Sequence, residues 1–553
     1  MFTLDAYAAR SCPSKVHNAF HPGFTPPPGV VEVRTSEPAL AFKERIFEKV
    51  SYIRGAVDLR PLRGEPSDVQ EAALLAAAAD GAPVIIAPML PRDWQGHRSA
   101  RPDFLVRGAD QADGSAGYHP AQVKFHKVLE LRATAEAEVH GARLARPGLR
   151  RPLDGIRYRL GVRLANTLQL SHYWRHLESL GLSASDGPWA ALIGTDEVPE
   201  RGLIFAWVRL DDLTLAANPG EDNPLTPLDR YDAEHGLRVE LAERAATLPP
   251  EAPPIFRPVI NRECPRCEWQ HTCRALLGDD DLSVRISKAP LDVHEVLTLR
   301  GLGIATVSEL AQADLDEVLP AFLPQVTHRN GSEDRLRLAQ RRARMIVDGV
   351  DLERLTSGPI DSLPAFEVEV DLDIETSTDD RVYLWGFQVT DAHGSYYRSF
   401  GEFADLDDRS EGHLAEAAMA WLKELASEHD VRVYHYSDYE TVRLRRLASN
   451  RDLPALTWAV EWAADHFVDL FGVMRQHFFG TQGLGLKVVA TSATGFHWRD
   501  VDPGGLNSQA WFDDAVHAPT DHERELARQR VLEYNEDDCL ATRELRTWLR
   551  SLS

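Results

Sequence analysis

The sequence predicts an α/β protein of more than one domain, and three observations lead there. At 553 residues the chain exceeds what one hydrophobic core organises, which favours two to four domains. Short apolar runs such as 83–89 alternate with stretches of helical apolar spacing such as 166–182, through Leu168, Trp174, Leu177 and Leu180; this is the pattern of strands packed against helices. A composition of 43% hydrophobic and 26% charged residues, with a mean hydropathy of −0.32, leaves no room for a large disordered block. Three domains are expected, at residues 1–285, 286–358 and 359–553.

The bulk numbers also exclude classes. No stretch approaches the roughly 18 apolar residues of a membrane span, and the N-terminus lacks a basic segment followed by an apolar run, so a cytoplasmic protein without a membrane partner is expected. Three of the five cysteines crowd into 264–273, which argues against a secreted disulfide framework and for a metal or cluster site. A net charge of −24 opposes binding to phosphates, but basic residues cluster locally. Arg146, Arg150, Arg151, Arg157, Arg159 and Arg163 form one stretch, and Arg335, Arg337, Arg341, Arg342 and Arg344 another. Each is a candidate phosphate track or a solvated face.

In the first domain, 83–89 and 103–107 read as strands and Pro-rich breaks fall at 25–28 and 248–254. Cys264-Pro-Arg-Cys267 and Cys273 give C-x2-C-x5-C, with Cys12 far upstream and Cys539 elsewhere. Tetrahedral zinc usually pairs two short Cys or His hairpins, a pattern this spacing does not match, although His271 is available as a substitute ligand. Between Cys12 and Cys264 stand Arg101-Pro102-Asp103, then Gln122-Val-Lys124, then Gln169 and Tyr173 one helical turn apart. The middle domain turns helical, and 299–310, with its Gly-Leu-Gly turn, has the form of a helix-hairpin-helix element that can offer backbone N–H groups to a phosphate; a plain helical linker fits equally.

The third domain carries the strongest pattern. From Phe366 to Glu375 apolar and acidic residues alternate strictly, putting Glu367, Glu369, Asp371, Asp373 and Glu375 on one face of a strand. Carboxylates two residues apart on a strand lie roughly 7 Å apart along the backbone, near enough for Asp373 and Glu375 to share cations; the alternative is a solvated edge strand. A second strand, 431–436, runs into Ser437-Asp-Tyr-Glu440 and a helix over 441–448, where Ser437 and Glu440 also fit a capping box. Finally, 528–549 is helical, and Tyr534 and Asp538 lie four apart on one face.

These motifs carry two resemblances. Asp373-Ile-Glu375-Thr, the strand–helix junction at Glu440 and Tyr534-x-x-x-Asp538 resemble, in that order, the motifs of the DEDD exonucleases, which are RNase H-like. That resemblance implies Asp373, Glu375, Glu440 and Asp538 as ligands of two Mg²⁺ or Mn²⁺ ions, Asp438 as the fallback for Glu440, His435 where Asn is common, and Tyr534 orienting the attacking water. One cysteine before and three after an Asp103/Gln122-x-Lys124 element resemble the iron–sulfur staple of RecB-like, PD-(D/E)xK nucleases with a restriction-endonuclease-like fold. This implies a [4Fe–4S] cluster on Cys12, Cys264, Cys267 and Cys273, with Zn²⁺ the alternative. It also implies Asp103 as a metal ligand, Lys124 polarising phosphate or water, and Gln169 and Tyr173 gripping substrate. Gln122 departs from the family's acid and weakens metal affinity; no upstream His is present, and Glu48 occupies that neighbourhood. The chain as a whole resembles bacterial fusions of the two domains. The expected function is a metal-dependent nuclease acting on nucleic acid, taken as DNA, in repair or end processing with a helicase or repair partner. The alternatives are an inactive N-terminal binding platform or a wholly non-catalytic recruitment module.

Overall fold

The computed structural model describes all residues except 26–36, 132–139, 154–157, 161–163, 199–200, 213, 216–222, 328–329, 361–362, 450–452 and 553. Arg157, Arg163 and the prolines at 26–28 therefore lie outside the described residues. The chain is a mixed α/β protein that divides into two compact units. The first comprises Met1–Arg285, Pro290–Glu309 and Ala313–Arg337; the second comprises Ile286–Ala289, Leu310–Gln312 and Leu338–Ser553.

The first unit is organised by a mixed eight-stranded sheet. Its strands are β1 (Val57–Asp58), β2 (Val84–Ile86), β3 (Phe104–Arg107), β4 (Tyr118–Val123), β6 (His140–Arg143), β7 (Arg151–Pro152), β9 (Trp189–Ile193) and β10 (Ile204–Arg209), while β5 (Leu129–Leu131) and β8 (Tyr158–Leu160) pair separately. The order is β1-β2-β3-β4-β9-β10-β6-β7. Because strand side chains alternate, the two faces bury different sets. Val84, Ile86, Phe104, Val106, Ala121, Val123, Phe205 and Trp207 pack with Phe42, Ile46 and Phe47 of the helix Glu37–Ser51. Ile85, Leu105, Leu192 and Ala206 face Leu74 and Ala77 of Ser67–Ala79 and Leu170, Tyr173 and Leu177 of Leu164–Ser179. The result is a sheet between helical layers, with near-continuous apolar strands as burial on both faces requires. The 299–310 element runs from the helix Val293–Gly301 into Val307–Gln312, and Gly303 takes the left-handed φ of +84° that the turn between them requires.

In the second unit a five-stranded sheet has the order β14-β13-β12-β15-β16, and β11 (Leu352–Arg354) pairs with β17 (Phe478–Gly480). The sheet strands are β12 (Val368–Thr376), β13 (Val382–Asp391), β14 (Gly394–Gly401), β15 (Val431–His435) and β16 (Phe467–Asp469). β12 is antiparallel to β13 and parallel to β15. Val368, Val370, Leu372 and Ile374 are buried against Ala415, Met419 and Leu422 of the helix Asp408–Glu428 and Leu456 of Pro454–His466. The acidic residues between them therefore point to the other face, which the terminal helix Asp521–Ser551 covers. Among the described residues, no helix is long and apolar enough to cross a membrane.

Candidate metal centre

β12 begins at Val368, so Phe366 and Glu367 precede it; Glu367 is exposed and accepts from the backbone N–H of Asp430 beside the ring of His429. The remaining acids do not form one uniform face. Glu369 and Asp371 are buried against Arg546 of the terminal helix, which meets Asp371 Oδ1 through Nε at 3.0 Å and Oδ2 through Nη2 at 2.8 Å and also pairs with Glu369. Arg550, one turn on, grips Glu369 and donates to Tyr434 Oη at 2.8 Å. Two helical turns before Arg546 the same helix presents Asp538 instead. There, one oxygen each from Asp373, Glu375 and Asp538 lie within 4.8 Å of one another.

Like charges this close raise one another's pKa. Removal from water comes first for Asp373, pushed well above the ordinary carboxylate range, followed by the charges of Asp538, Glu375 and Glu440. Glu375 is pushed up to about 8, by burial and then by Asp538, against opposing effects from Ser508 and Lys487. A third-row arrangement of donors holds these acids in place. Asn535 Nδ2 donates to Asp373 Oδ2 at 2.7 Å, Ser508 Oγ to Glu375 Oε2 at 2.6 Å, and Trp498 Nε1 to Asp538 Oδ1 at 2.7 Å. Asp373 pairs with Gly386 of β13, and that glycine is required: a Cβ there would stand 1.7 Å from Asn535 Oδ1. Lys487, at the start of the helix Leu486–Thr494, donates to Tyr534 Oη at 2.8 Å and lies 3.3 Å from Asp538 Oδ1. Burial and the neighbouring carboxylates raise the Tyr534 pKa, so its hydroxyl stays protonated.

Glu440 stands beside this trio, outside its tightest grouping, and its charge is felt by both Asp373 and Glu375. It makes no capping box: the helix Tyr439–Ala448 is preceded by Asp438 without a side-chain cap, and Ser437 adopts a left-handed φ of +98°. That conformation is costly for a residue with a side chain and is typical of functional sites. Glu440 is buried, and burial raises its pKa against the influence of His435. Its Oε2 lies 3.5 Å from His435 Nδ1, too poorly aligned to count as a hydrogen bond, and lacks a hydrogen-bond partner among the described residues. His435 Nδ1 donates to the Ser437 carbonyl at 2.5 Å, while Asp438 is exposed.

In the first unit, Phe104 pairs with Ala121, which sets Asp103 opposite Gln122 on the face of the sheet covered by Leu164–Ser179. Lys124 Nζ donates to Gln169 Oε1 at 2.6 Å, and Gln169 Nε2 to Tyr173 Oη at 2.7 Å. Burial, then the positive charge of Arg10, lowers the Lys124 pKa to about 8. Arg10 also donates to Gln169 Oε1 at 3.0 Å. Both oxygens of Asp103 are engaged, Oδ1 by Lys43 Nζ at 2.5 Å and Oδ2 by the backbone N–H of Val123 at 2.8 Å. The helix Glu37–Ser51 thus sends Lys43, rather than the exposed Glu48, to this site. Gln122 Oε1 is buried without a hydrogen-bond partner among the described residues.

Cys12 precedes the helix Pro13–Phe20, Cys264 and Cys267 flank a tight turn, and Cys273 lies in Gln270–Ala275. Burial raises the thiol pKa of Cys264 and Cys273, and the proximity of Cys12 adds to both. Cys12 N–H donates to Glu263 Oε2 at 3.2 Å, next to Cys264 in the chain, and His271 is exposed; among the described residues no three cysteine sulfurs lie within 4.8 Å of one another. Asn18 Nδ2 donates to Cys273 Sγ at 3.6 Å.

Residues 370–550 match the family model of the RNase H superfamily, so the C-terminal part of the chain is an RNase H-like domain, with the nuclease-type fold and an acidic cluster on it. No curated protein and no solved structure matches the chain at a significant level. Reading the sequence missed Lys487, Trp498, Ser508 and Arg546. Each reaches the acids from a distant segment, and only Asn535, inside the Tyr534–Asp538 motif, had a local signal.

Proposed function

We propose that the chain is a divalent-metal-dependent nuclease, a DNA exonuclease of repair or end processing, that hydrolyses phosphodiester bonds in its C-terminal domain. The observation that carries this reading is the convergence of Asp373, Glu375 and Asp538 oxygens within 4.8 Å on an RNase H-like fold. Hard carboxylate oxygens fit Mg²⁺ or Mn²⁺, and the mutual repulsion of these acids fits a site completed by cations. Asp373, Glu375, Glu440 and Asp538 would hold them. Two such ions supply charge neutralisation at the scissile phosphate and a nucleophilic water at neutral pH. Tyr534, held protonated, would orient that water by hydrogen bonding, and Lys487, 3.3 Å from Asp538 Oδ1, would offer its ammonium to a phosphate oxygen.

In the first unit a RecB-like, PD-(D/E)xK reading is supported by Asp103, Gln122, Lys124, Gln169 and Tyr173 meeting on one face. Lys43 and Val123 already satisfy both Asp103 oxygens, however, and Gln122 brings no charge, which favours a nucleic-acid-binding platform over a second cutting site. The four cysteines fit a thiolate-bound group, and a [4Fe–4S] cluster at that place would tie the two ends of the domain together; Cys12 and the 264–273 segment would hold it. The RNase H-like domain implies a nucleic-acid partner, and a helicase or repair partner would act through it.

The purified chain, given Mn²⁺ and labelled single-stranded DNA, duplex DNA and RNA, should shorten DNA from an end. If Asp373→Ala digested these substrates as well as the wild type, the assignment would be wrong, and a chain inert on all of them would point to a recruitment module. A brown protein absorbing near 400 nm identifies iron; a colourless one with stoichiometric zinc replaces the cluster by Zn²⁺.

A further inference from the structure

One basic feature of the first unit belongs to neither acid site. β7 is the outer strand of the eight-stranded sheet, and beside β6 and β7 lies a cavity of about 500 Å³ whose walls carry Arg143, Arg146, Arg151 and Arg201 over an apolar floor of Leu153 and Ile204. Among the described residues, none of those lining it is acidic. All four arginines are exposed.

The local chain explains how they gather. Arg143 ends β6 and pairs with Ile204 of β10, and Arg201 lies in the turn that leads into β10. The chain then turns through Arg146, whose N–H donates to the Arg143 carbonyl at 2.9 Å, and returns as β7 with Arg151 opposite Gly141. Gly141 lets the floor close: a Cβ there would stand 2.8 Å from Leu153 Cδ1 and 3.1 Å from Ile204 Cδ1. Three segments thus bring four guanidinium groups to one hollow in a chain of net charge −24.

The other arginine stretch has a different fate. Arg335 pairs with Glu295, Arg337 with Glu333 and Arg341 with Glu353, Arg342 is buried beside the Phe479 ring, and Arg344 donates to the Ala311 carbonyl. Arg150, from the same stretch as Arg146 and Arg151, likewise pairs with Asp186.

We propose that the hollow binds a nucleic-acid single strand, with the Arg146, Arg151 and Arg201 guanidiniums on successive phosphates and a base or sugar over Leu153 and Ile204. Guanidinium forks match phosphate oxygens in geometry as well as charge. An apolar floor below the charges suits the exposed base of a single strand, whereas a duplex keeps its bases stacked inside and would meet only the rim. The identity of the ligand rests on the nuclease reading; the site itself does not.

The test reads binding rather than cutting. The full chain in EDTA is titrated into a fluorescein-labelled twelve-nucleotide oligothymidylate, with fluorescence anisotropy followed over a range of salt concentrations. Arg146→Gln/Arg151→Gln should weaken binding about tenfold and lower the slope of log K against log salt by about 1.4, the release expected for two single-strand phosphates. Arg146→Lys/Arg151→Lys should restore most of the slope. Unchanged affinity and slope in the Gln variant would overturn the proposal. So would an equal loss on a twelve-base-pair duplex, or weaker binding of inorganic phosphate with the oligonucleotide unaffected, which marks a free-phosphate site. Asp373→Ala should lose cutting and bind the oligonucleotide normally: retained cutting in that variant counts against the nuclease reading alone, and undiminished binding in the Gln variant counts against this one alone.

Discussion

The two halves of β12 start from the same residue pattern and end in opposite chemistry. Glu369 and Asp371 meet Arg546 and Arg550 from the terminal helix and become a buried, hydrogen-bonded ion-pair network. Asp373 and Glu375, two and four residues further along, meet Asp538 from the same helix and, among the described residues, no arginine. One strand face and one helix face thus build both a structural clamp and an acid trio that Lys487, 3.3 Å from Asp538, neutralises only in part. Buried carboxylates become a candidate site when the partner element withholds its cation, not when carboxylates are simply numerous. The acid site of the first unit lies between these cases, because Lys43 already neutralises its one carboxylate.

The largest expected effect breaks the comparison between units. On one DNA substrate with Mn²⁺, Asp538→Ala should cost on the order of a thousandfold in rate, equivalent to about 4 kcal/mol, whereas Lys124→Ala should change it less than about threefold. Comparable losses would give the first unit a cutting role of its own.

Within β12, Arg546→Met should destabilise the protein by about 3–5 kcal/mol, because it leaves the buried Asp371 carboxylate without its cation, while Arg550 still holds Glu369. Replacing Glu369, Asp371 and Arg546 together by apolar residues of similar volume should recover most of that loss in chemical denaturation, since a buried ion pair contributes little beyond its own desolvation. Failure to recover would mean that the clamp also fixes the helix for Asp538.

Cations should do for Asp373, Glu375 and Asp538 what arginine does for their neighbours. Mn²⁺ at about a hundredfold its dissociation constant should stabilise the chain by about 2.7 kcal/mol. EDTA should reverse the gain, and Asp373→Asn should abolish it while stabilising the metal-free protein through relieved repulsion.

The last effect belongs to the first unit. Burial lowers the pKa of His119, His176 and His235 to about 4, and that of His172 well below its ordinary value. The folded state therefore binds fewer protons than the unfolded one between about pH 6.5 and 4. Stability should be fully present above about pH 6.5 and fall as the pH drops, by up to about 1.4 kcal/mol per pH unit for each imidazole. Thermal unfolding at pH 7 and pH 5 checks this, and an unchanged midpoint would remove these histidines from the account.

Much of this organisation is legible in the residues. The alternation around Asp373, the strand preceding Glu440 and the helical spacing of Tyr534 and Asp538 are local, and local periodicity follows from strand and helix geometry. The strand 103–107 and the helix carrying Gln169 and Tyr173 were legible for the same reason. Lys487, Trp498 and Ser508 were not, because nothing in their neighbourhoods distinguishes a lysine or a serine that turns toward an acid from one that faces water. The arginine stretches show the limit most clearly: the two looked equivalent as runs, yet Arg335, Arg337 and Arg341, like Arg150 of the first stretch, found carboxylates while Arg146 and Arg151 came to line a cavity.

The sequence by itself determined which side chains share a strand face or a helix face, since the backbone repeats at two and 3.6 residues whatever surrounds it. Tertiary structure alone decided which charge each of those faces met. Pairing depends on distances of a few ångströms between segments far apart in the chain, and no local repeat encodes them. Arg546 standing opposite Asp371 and Asp538 opposite Asp373 is the difference between a buried ion pair and a place for a metal ion.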